Sequence, residues 1–399
     1  MVINSLPRLL EPCAQDDFFA SFWGQTYKHV RGGSGRFAYL LSWERLNSVL
    51  RHHRLDFPRL RLVEEGKTLP PSSCLRYVAG RRGKPPVPRL MPVELARHLR
   101  RGATLVLDAV DELDAPLEEL AVMLELFFRE RVQINAYAGW QTSRGFDLQW
   151  DDHDVFILQV LGRKRWSIYG ETRPHPVSGD GALCETPDHP PLWEETLEDG
   201  DLLYIPRGFW HVAAPLAEPT LHLTVGIHNR TGLDLLNWVN EKMRAREAFR
   251  KDLPRFAAEE ERAAHVSRLR EEFLNEWDDR ALERFLEDFD AQAEPRAYAG
   301  LPWSATQDVL PDASGALVRL AAPRPLNLRV EDGIVEFTAR KKRWRLAEGA
   351  LVVLRPLEER RICTVAELCE AARGKLDERT VRAFLRELIV HGLVVIVDG

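Results

Sequence analysis

Four side chains stand out for the chemistry they could do together. Gln149, Asp151 and His153 lie in the stretch FDLQWDDHDVFILQVLGRKRW (146–166), and His211 lies near the end of GDLLYIPRGFWHV (200–212). Both stretches border apolar, strand-like segments, so these polar residues fall at strand mouths. In a strand, residues i and i+2 point to the same face. Two ligands at that spacing, with a third from a neighbouring strand, can occupy one face of a metal octahedron and leave the opposite positions open. Two imidazoles and a carboxylate so arranged suit non-haem Fe(II). Asp151 and His211 supply the carboxylate and one imidazole, and the third donor is open. His153, two beyond Asp151, offers a second imidazole on the same face of a regular strand. Gln149, two before Asp151, offers a neutral amide oxygen, a poorer donor for iron. A chain using neither would hold no working iron. All three arrangements stand at this point.

Residues 132 to about 228 carry a mainly β pattern. Val132 to Tyr137 reads as a strand, VFILQVLGRKRWSIYG as a hairpin turning at Gly162, and LEDGDLLYIPRGFWHVAAP as a strand between turn signals. In PTLHLTVGIH the residues Leu221, Leu223 and Val225 alternate with others, the period of a half-buried strand. Upstream, DDFFASFWGQTYKHV predicts an amphipathic helix with Phe18, Phe22 and Trp23 on one side, and a further helix leads into a strand at Thr104–Leu107. From 231 the pattern becomes that of charged helices, with a stripe of Trp277, Leu282, Phe285, Leu286 and Phe289 that predicts helical packing or a dimer face. Leu301 to Gly315 has the Pro, Ser and Gly content of a linker. The segment 316–399 is β-rich at first, then holds a short helix, a helix with Asp377 as its N-cap, and a final strand, LVVIV. Helix, helix, strand in that order is the plan of a winged helix.

A chain of 399 residues is long for one domain. The net charge of −6 excludes a basic coat over the whole protein, which makes nucleic acid an unlikely partner. The run RKKRWR (340–345) reads as a solvated hairpin face. Five scattered cysteines without a CxxC pair give neither a disulfide framework nor a zinc knuckle. With no signal sequence and no run of 18 apolar residues, the expectation is a cytoplasmic protein with no membrane span.

GDLLYIPRGFWH resembles the second-histidine strand of cupin-type JmjC oxygenases, and DVFILQVLGRKRW resembles the strand that follows their first metal motif. The chain as a whole is similar to the ribosomal-oxygenase branch of that family. The resemblance implies an α+β architecture in three parts: a double-stranded β-helix (cupin/JmjC) barrel at 1–230, a helical dimerisation region at 231–300 and a winged-helix domain at 316–399. It implies Fe(II), 2-oxoglutarate as cosubstrate, and hydroxylation of a protein or peptide side chain, with a ribosomal protein as a candidate substrate and a homodimer as the assembly. The family's first motif is HxD. Its histidine falls on Gln149, its aspartate on Asp151 and the later histidine on His211, so this chain departs from the pattern at one ligand. That departure leaves a second expectation, a catalytically impaired JmjC-like peptide-binding protein. Lys164, in GRKRW, aligns with the basic residue that the family uses to hold the distal carboxylate of 2-oxoglutarate. Asn135 and Tyr137, alternating on the preceding strand, are candidates for the other end of that cosubstrate. His222 reads as a core histidine near the site.

Overall fold

The computed structural model describes residues 3–79, 85–142, 145–306, 310, 315–360 and 362–397. The chain divides into two compact units, Met1–Asn229 and Arg230–Gly399.

The first unit is built on strands β1 (Lys28–Val30), β2 (Leu60–Glu64), β3 (Lys67–Thr68), β4 (Leu75–Val78), β5 (Val87–Leu90), β6 (Thr104–Leu107), β7 (Val132–Gly139), β8 (Asp154–Leu161), β9 (Lys164–Glu171), β10 (Trp193–Leu197), β11 (Leu202–Ile205), β12 (Phe209–Pro215) and β13 (Thr220–Ile227). An eight-stranded sheet runs β1-β11-β8-β13-β7-β6-β2-β3, a three-stranded sheet runs β10-β9-β12, and β4 pairs with β5. Helices α1 (Leu6–Leu10), α2 (Gln15–Ser21), α3 (Trp43–His52), α4 (Pro92–Arg101) and α5 (Ala115–Phe128) complete it. Period-two alternation sorts the side chains of the large sheet. Phe156, Leu158 and Val160 of β8 and Leu221, Leu223, Val225 and Ile227 of β13 join Leu9, Phe18, Val49, Leu120 and Leu124 of the helices in one core. Each such fully buried side chain contributes about 1.5–3 kcal/mol. The opposite face looks into the barrel, where Val155 and Ile157 meet Trp166 and Ile168 of β9 and Leu203 and Ile205 of β11.

Three sequence expectations are corrected here. The stretch 155–170 is a corner rather than a hairpin: β8 lies between β11 and β13 in the large sheet, whereas β9 lies between β10 and β12 in the small one. Gly162 makes the corner with φ of +65°, and a Cβ on it would stand 2.1 Å from the Pro219 carbonyl oxygen. The stretch 200–212 is two strands, β11 and β12, in different sheets. Strand alternation could not show either point, because it is silent about which sheet a strand joins. The helix expected over 16–30 stops at Ser21, and Lys28–Val30 pairs with β11. Phe18 and Trp23 still pack inward, their rings centred 4.9 and 5.5 Å from that of Tyr204.

The second unit opens with helices α6 (Gly232–Met243), α7 (Glu247–Arg250), α8 (Glu259–Leu274) and α9 (Ala281–Gln292). Thr231 and Asp234 form a capping box at the start of α6. Of the linker expected at 301–315, residues 307–309 and 311–314 lie outside the described residues. There follow β14 (Leu317–Leu320), β15 (Arg329–Glu331), β16 (Ile334–Ala339), β17 (Lys342–Ala347), α10 (Leu351–Arg360), β18 (Ile362–Thr364), α11 (Val365–Ala371), α12 (Glu378–Val390) and β19 (Val394–Val397). Strands β15-β16-β17 form a meander and β18-β14-β19 a second antiparallel sheet. Val318, Val353, Leu357, Leu368, Val381 and Leu385 share one core within this unit. The Asp377 carboxylate accepts from Thr380 N at 2.7 Å and caps α12.

Candidate active site

The chain between β7 and β8 returns across the mouth of the barrel and pairs with β12. Gln149 N donates to the His211 carbonyl at 3.1 Å, and His211 N donates to the Gln149 carbonyl at 2.7 Å. Gly208 N donates to the Asp151 carbonyl at 2.9 Å. Gln149 and His211 are therefore directly opposed across an antiparallel bridge, and directly opposed residues share a face. Asp151 brings Oδ2 to 3.6 Å from His211 Nε2. The other ring nitrogen, Nδ1, lies 2.9 Å from the Phe209 carbonyl oxygen. A carbonyl only accepts, so Nδ1 carries a proton, and Nε2 is the ring nitrogen turned towards Asp151. This is the orientation that a metal-binding histidine needs, set by the hydrogen bond of its other nitrogen.

His153 sits elsewhere. The chain bends at Asp152 and His153, and β8 begins only at Asp154, so the regular i, i+2 alternation that would carry His153 alongside Asp151 is interrupted. Its Nδ1 lies 3.1 Å from Asp152 Oδ1, and its ring stacks on His228 with centroids 4.3 Å apart. Among the described residues, the donor atoms that converge within 4.8 Å of one another are those of Asp152, His153 and His228, not those of Asp151, His153 and His211. The bend is anchored by Asp154. Its buried carboxylate accepts from Tyr204 Oη at 2.9 Å, from Arg207 N at 3.1 Å and from the Asn229 amide. That knot joins the start of β8, the β11–β12 turn and the end of β13.

Lys164 opens β9 on the inner face and is only 7% exposed. Its Nζ lies 5.7 Å from the centre of the Trp166 ring, and among the described residues no carboxylate forms an ion pair with it. Burial lowers its ammonium from 10.5 to about 7. Across the barrel, His222 is also buried and is held well below its ordinary value, first by desolvation and then by the charge of Lys164. Its ring stacks flat on Tyr137, with centroids 4.9 Å and planes 6° apart, and meets Trp166 edge-on at 5.5 Å. Trp166 in turn lies 6.1 Å from His211. Trp166 Nε1 and His222 Nδ1 are buried with no hydrogen-bond partner among the described residues.

Asn135 and Tyr137 face inward two residues apart. The Asn135 Oδ1 accepts from Ala109 N and from Gln133 Nε2, each at 2.9 Å. Burial raises the Tyr137 phenol well above its usual range, and the charges of Asp151 and Asp108 add to this, partly offset by Arg61. Sequence reasoning missed Trp166 and the Arg61–Asp108 pair, whose two hydrogen bonds of 3.0 and 3.1 Å link β2 to the end of the neighbouring β6 beside Phe146. The inward parity of Trp166 with Lys164 was a signal for the first. Nothing local in the chain pairs Arg61 with Asp108.

Two sheets closed around inward-facing acid, imidazole and amide groups define the JmjC/cupin class of barrel, and residues 113–235 match the family model of the JmjC domain. The bifunctional lysine-specific demethylase and histidyl-hydroxylase NO66 of Drosophila pseudoobscura pseudoobscura is 28% identical over 234 residues, covering 57% of this chain and 23% of that protein. Ribosomal oxygenase 1 of Bos taurus is 30% identical over 262 residues, covering 62% of this chain and 37% of that protein. The match thus spans well under half the length of these curated relatives. The structure of YcfD, a ribosomal oxygenase from Escherichia coli, in complex with cobalt and 2-oxoglutarate, superposes with a TM-score of 0.57 at 19% identity, covering 97% of this chain and 99% of that one. Residues 113–235 thus match the JmjC domain, more than half of the chain is similar to the NO66 and ribosomal oxygenase 1 proteins, and the chain shares the fold of YcfD.

Proposed function

We propose that the protein is an Fe(II)- and 2-oxoglutarate-dependent oxygenase that hydroxylates a protein or peptide side chain, with a ribosomal protein as the substrate class. One observation carries this reading. Asp151 and His211 lie 3.6 Å apart at the barrel mouth, on a barrel whose inner face also holds a buried lysine without a carboxylate partner among the described residues. The donor set fits a divalent iron: the Asp151 carboxylate, His211 Nε2, and Gln149 through its amide oxygen as a weaker third ligand. The acceptor-free cation of Lys164 fits the distal carboxylate of 2-oxoglutarate, because a buried carboxylate needs a paired charge. Asn135 and Tyr137, inward on β7, are the candidates for its other end.

When bound, the iron couples the decarboxylation of 2-oxoglutarate by dioxygen, giving succinate and carbon dioxide, to hydroxylation of a C–H bond. The protein's own share is positional. Phe209 holds the His211 ring in the orientation that presents Nε2, the bridge to His211 fixes Gln149, and Val155, Ile157, Trp166 and Ile168 exclude water behind the site.

Gln149 itself favours a second reading, a peptide-binding protein that has lost working iron. Metal content of the purified protein, with succinate formation from 2-oxoglutarate in the absence of substrate, separates the two. Iron-dependent succinate formation abolished by Asp151→Ala supports the oxygenase. No retained metal and no succinate at any iron concentration supports the binding protein.

The assembly we propose is a homodimer through the helical region at 231–300. In support, Trp277, Leu282 and Leu286 leave apolar surface exposed to solvent. The order α11, α12, β19 supports a winged helix at 316–399. The pairing of Arg343 and Arg345 with Glu336 and of Lys341 with Glu294 supports reading its basic run as a solvated hairpin face rather than a nucleic-acid surface. Five free cysteines fit a reducing, cytoplasmic setting, and among the described residues no helix is long and apolar enough to cross a membrane.

A further inference from the structure

The barrel mouth carries a second set of donors that the Gln149, Asp151 and His211 group does not use. The β8–β13 ladder pairs Ile227 with Asp154, so one step outward His153 and His228 face each other. Their rings stack with centroids 4.3 Å apart and planes at 26°. Asp152 turns its carboxylate to the same place, with Oδ1 3.1 Å from His153 Nδ1. One ligand atom from each of the three lies within 4.8 Å of the others. Gly226, two residues before His228 on the same face of β13, makes the space. A Cβ there would stand 2.8 Å from both Cδ2 and Nε2 of His153. Any other residue at 226 would push the ring away from its partners.

We propose that Asp152, His153 and His228 form a metal site of their own at the open end of the barrel, taking a borderline divalent transition ion of the Zn(II) or Co(II) kind. Two imidazoles and one carboxylate are a donor set for which such ions compete well and Mg(II) or Ca(II) poorly. With metal–nitrogen and metal–oxygen bonds of about 2.0–2.2 Å, tetrahedral donors stand roughly 3.3–3.5 Å apart. The present spread closes to that by side-chain rotation at Asp152, which is half-exposed, and at His228, which is exposed. Three protein donors leave a fourth position for water or for a donor atom on whatever enters the barrel. The site is independent of the oxygenase reading, since it shares no ligand with Gln149, Asp151 and His211.

The test uses the full chain and two probes: Co(II), followed by its visible d–d absorption, and Zn(II), counted by elemental analysis after dialysis. Three proteins are compared: wild type, Asp151→Asn/His211→Ala, and His153→Ala/His228→Ala. The Asp151→Asn/His211→Ala protein is expected to keep one ion with a tetrahedral Co(II) spectrum, and the His153→Ala/His228→Ala protein to lose that spectrum. If the Asp151 site holds no metal, the wild type binds one ion, still lost only in the His153→Ala/His228→Ala protein, so failure of the oxygenase reading is distinguishable from failure of this one. Should the double variant not fold, the single changes Asp152→Asn and His228→Gln at the rim carry the test, each expected to weaken Co(II) binding by about tenfold or more. Wild-type stoichiometry and spectrum in the His153→Ala/His228→Ala protein, or unchanged Co(II) affinity in both single variants, overturns the proposal.

Discussion

Raising the pH from 7 to 9 should weaken the binding of 2-oxoglutarate about fiftyfold, through one residue. In the ligand-free barrel, burial lowers the Lys164 ammonium from 10.5 to about 7. A carboxylate set beside it favours the charged form and raises that value again. Below pH 7 the lysine is already protonated, and affinity is flat. Above pH 7 the free protein must take up a proton in order to bind, so Kd rises about tenfold for each further unit, or roughly 1.4 kcal/mol. The slope ends only where the bound ammonium itself titrates. His222, the titratable group facing Lys164 from β13, is held well below its ordinary value by burial and by Lys164, so it stays neutral and adds no second slope. Calorimetry with Mn(II)-saturated protein, in buffers of different ionisation enthalpy, reads both quantities. About half a proton should be taken up at pH 7 and close to one at pH 9. Lys164→Met should weaken binding by about 3–5 kcal/mol at pH 7, because it leaves the ligand carboxylate buried and unpaired, and should abolish the slope. A Kd constant from pH 7 to 9 without proton uptake would refute the pairing of Lys164 with the cosubstrate.

The same residue sets a stability effect. Its folded value lies below its unfolded one, so the unfolded chain holds more protons between about pH 7 and 10.5. Lys164→Met should therefore stabilise the ligand-free protein by up to about 5 kcal/mol below pH 7, a gain that fades towards pH 10.5 in denaturant titrations. Gln149→His should tighten Mn(II) binding by about tenfold or more through an imidazole donor, and unchanged affinity in a calorimetric titration would place position 149 outside the coordination sphere. Gly162→Ala should cost at least about 1–3 kcal/mol in thermal or chemical unfolding, since its φ of +65° and the Pro219 carbonyl at 2.1 Å both oppose a Cβ. Leu282→Glu/Leu286→Glu should convert a dimer to a monomer in sedimentation at micromolar concentration, and a wild type that is already monomeric refutes the assembly.

Strand alternation in the chain by itself determined which faces are buried. The parity of Leu221, Leu223 and Val225 put His222 on the other side of β13, and that of Ile134 and Ala136 put Asn135 and Tyr137 inside the barrel. The helix signals were equally local: Asp377 caps α12 because an N-cap acts on the next turn only. The motif positions of Asp151 and His211 were legible for a different reason, the resemblance of DVFILQVLGRKRW and GDLLYIPRGFWH to the metal-site strands of the JmjC family. What lay beyond the sequence was every question of partnership between distant segments. That β8 and β9 belong to different sheets depends on closing a barrel, which no local period encodes. The fate of His153 turned on a bend at residues 152–153, on the glycine at 226 and on the ring of His228. Alternation along an ideal strand assigned it to Asp151, whereas the ladder register placed it against β13. The charge state of Lys164 was hidden in the same way. Its neighbours in the chain are arginines, but its energetics come from the water that Trp166 and the closed barrel exclude, and desolvation is a property of the whole fold rather than of any stretch of it.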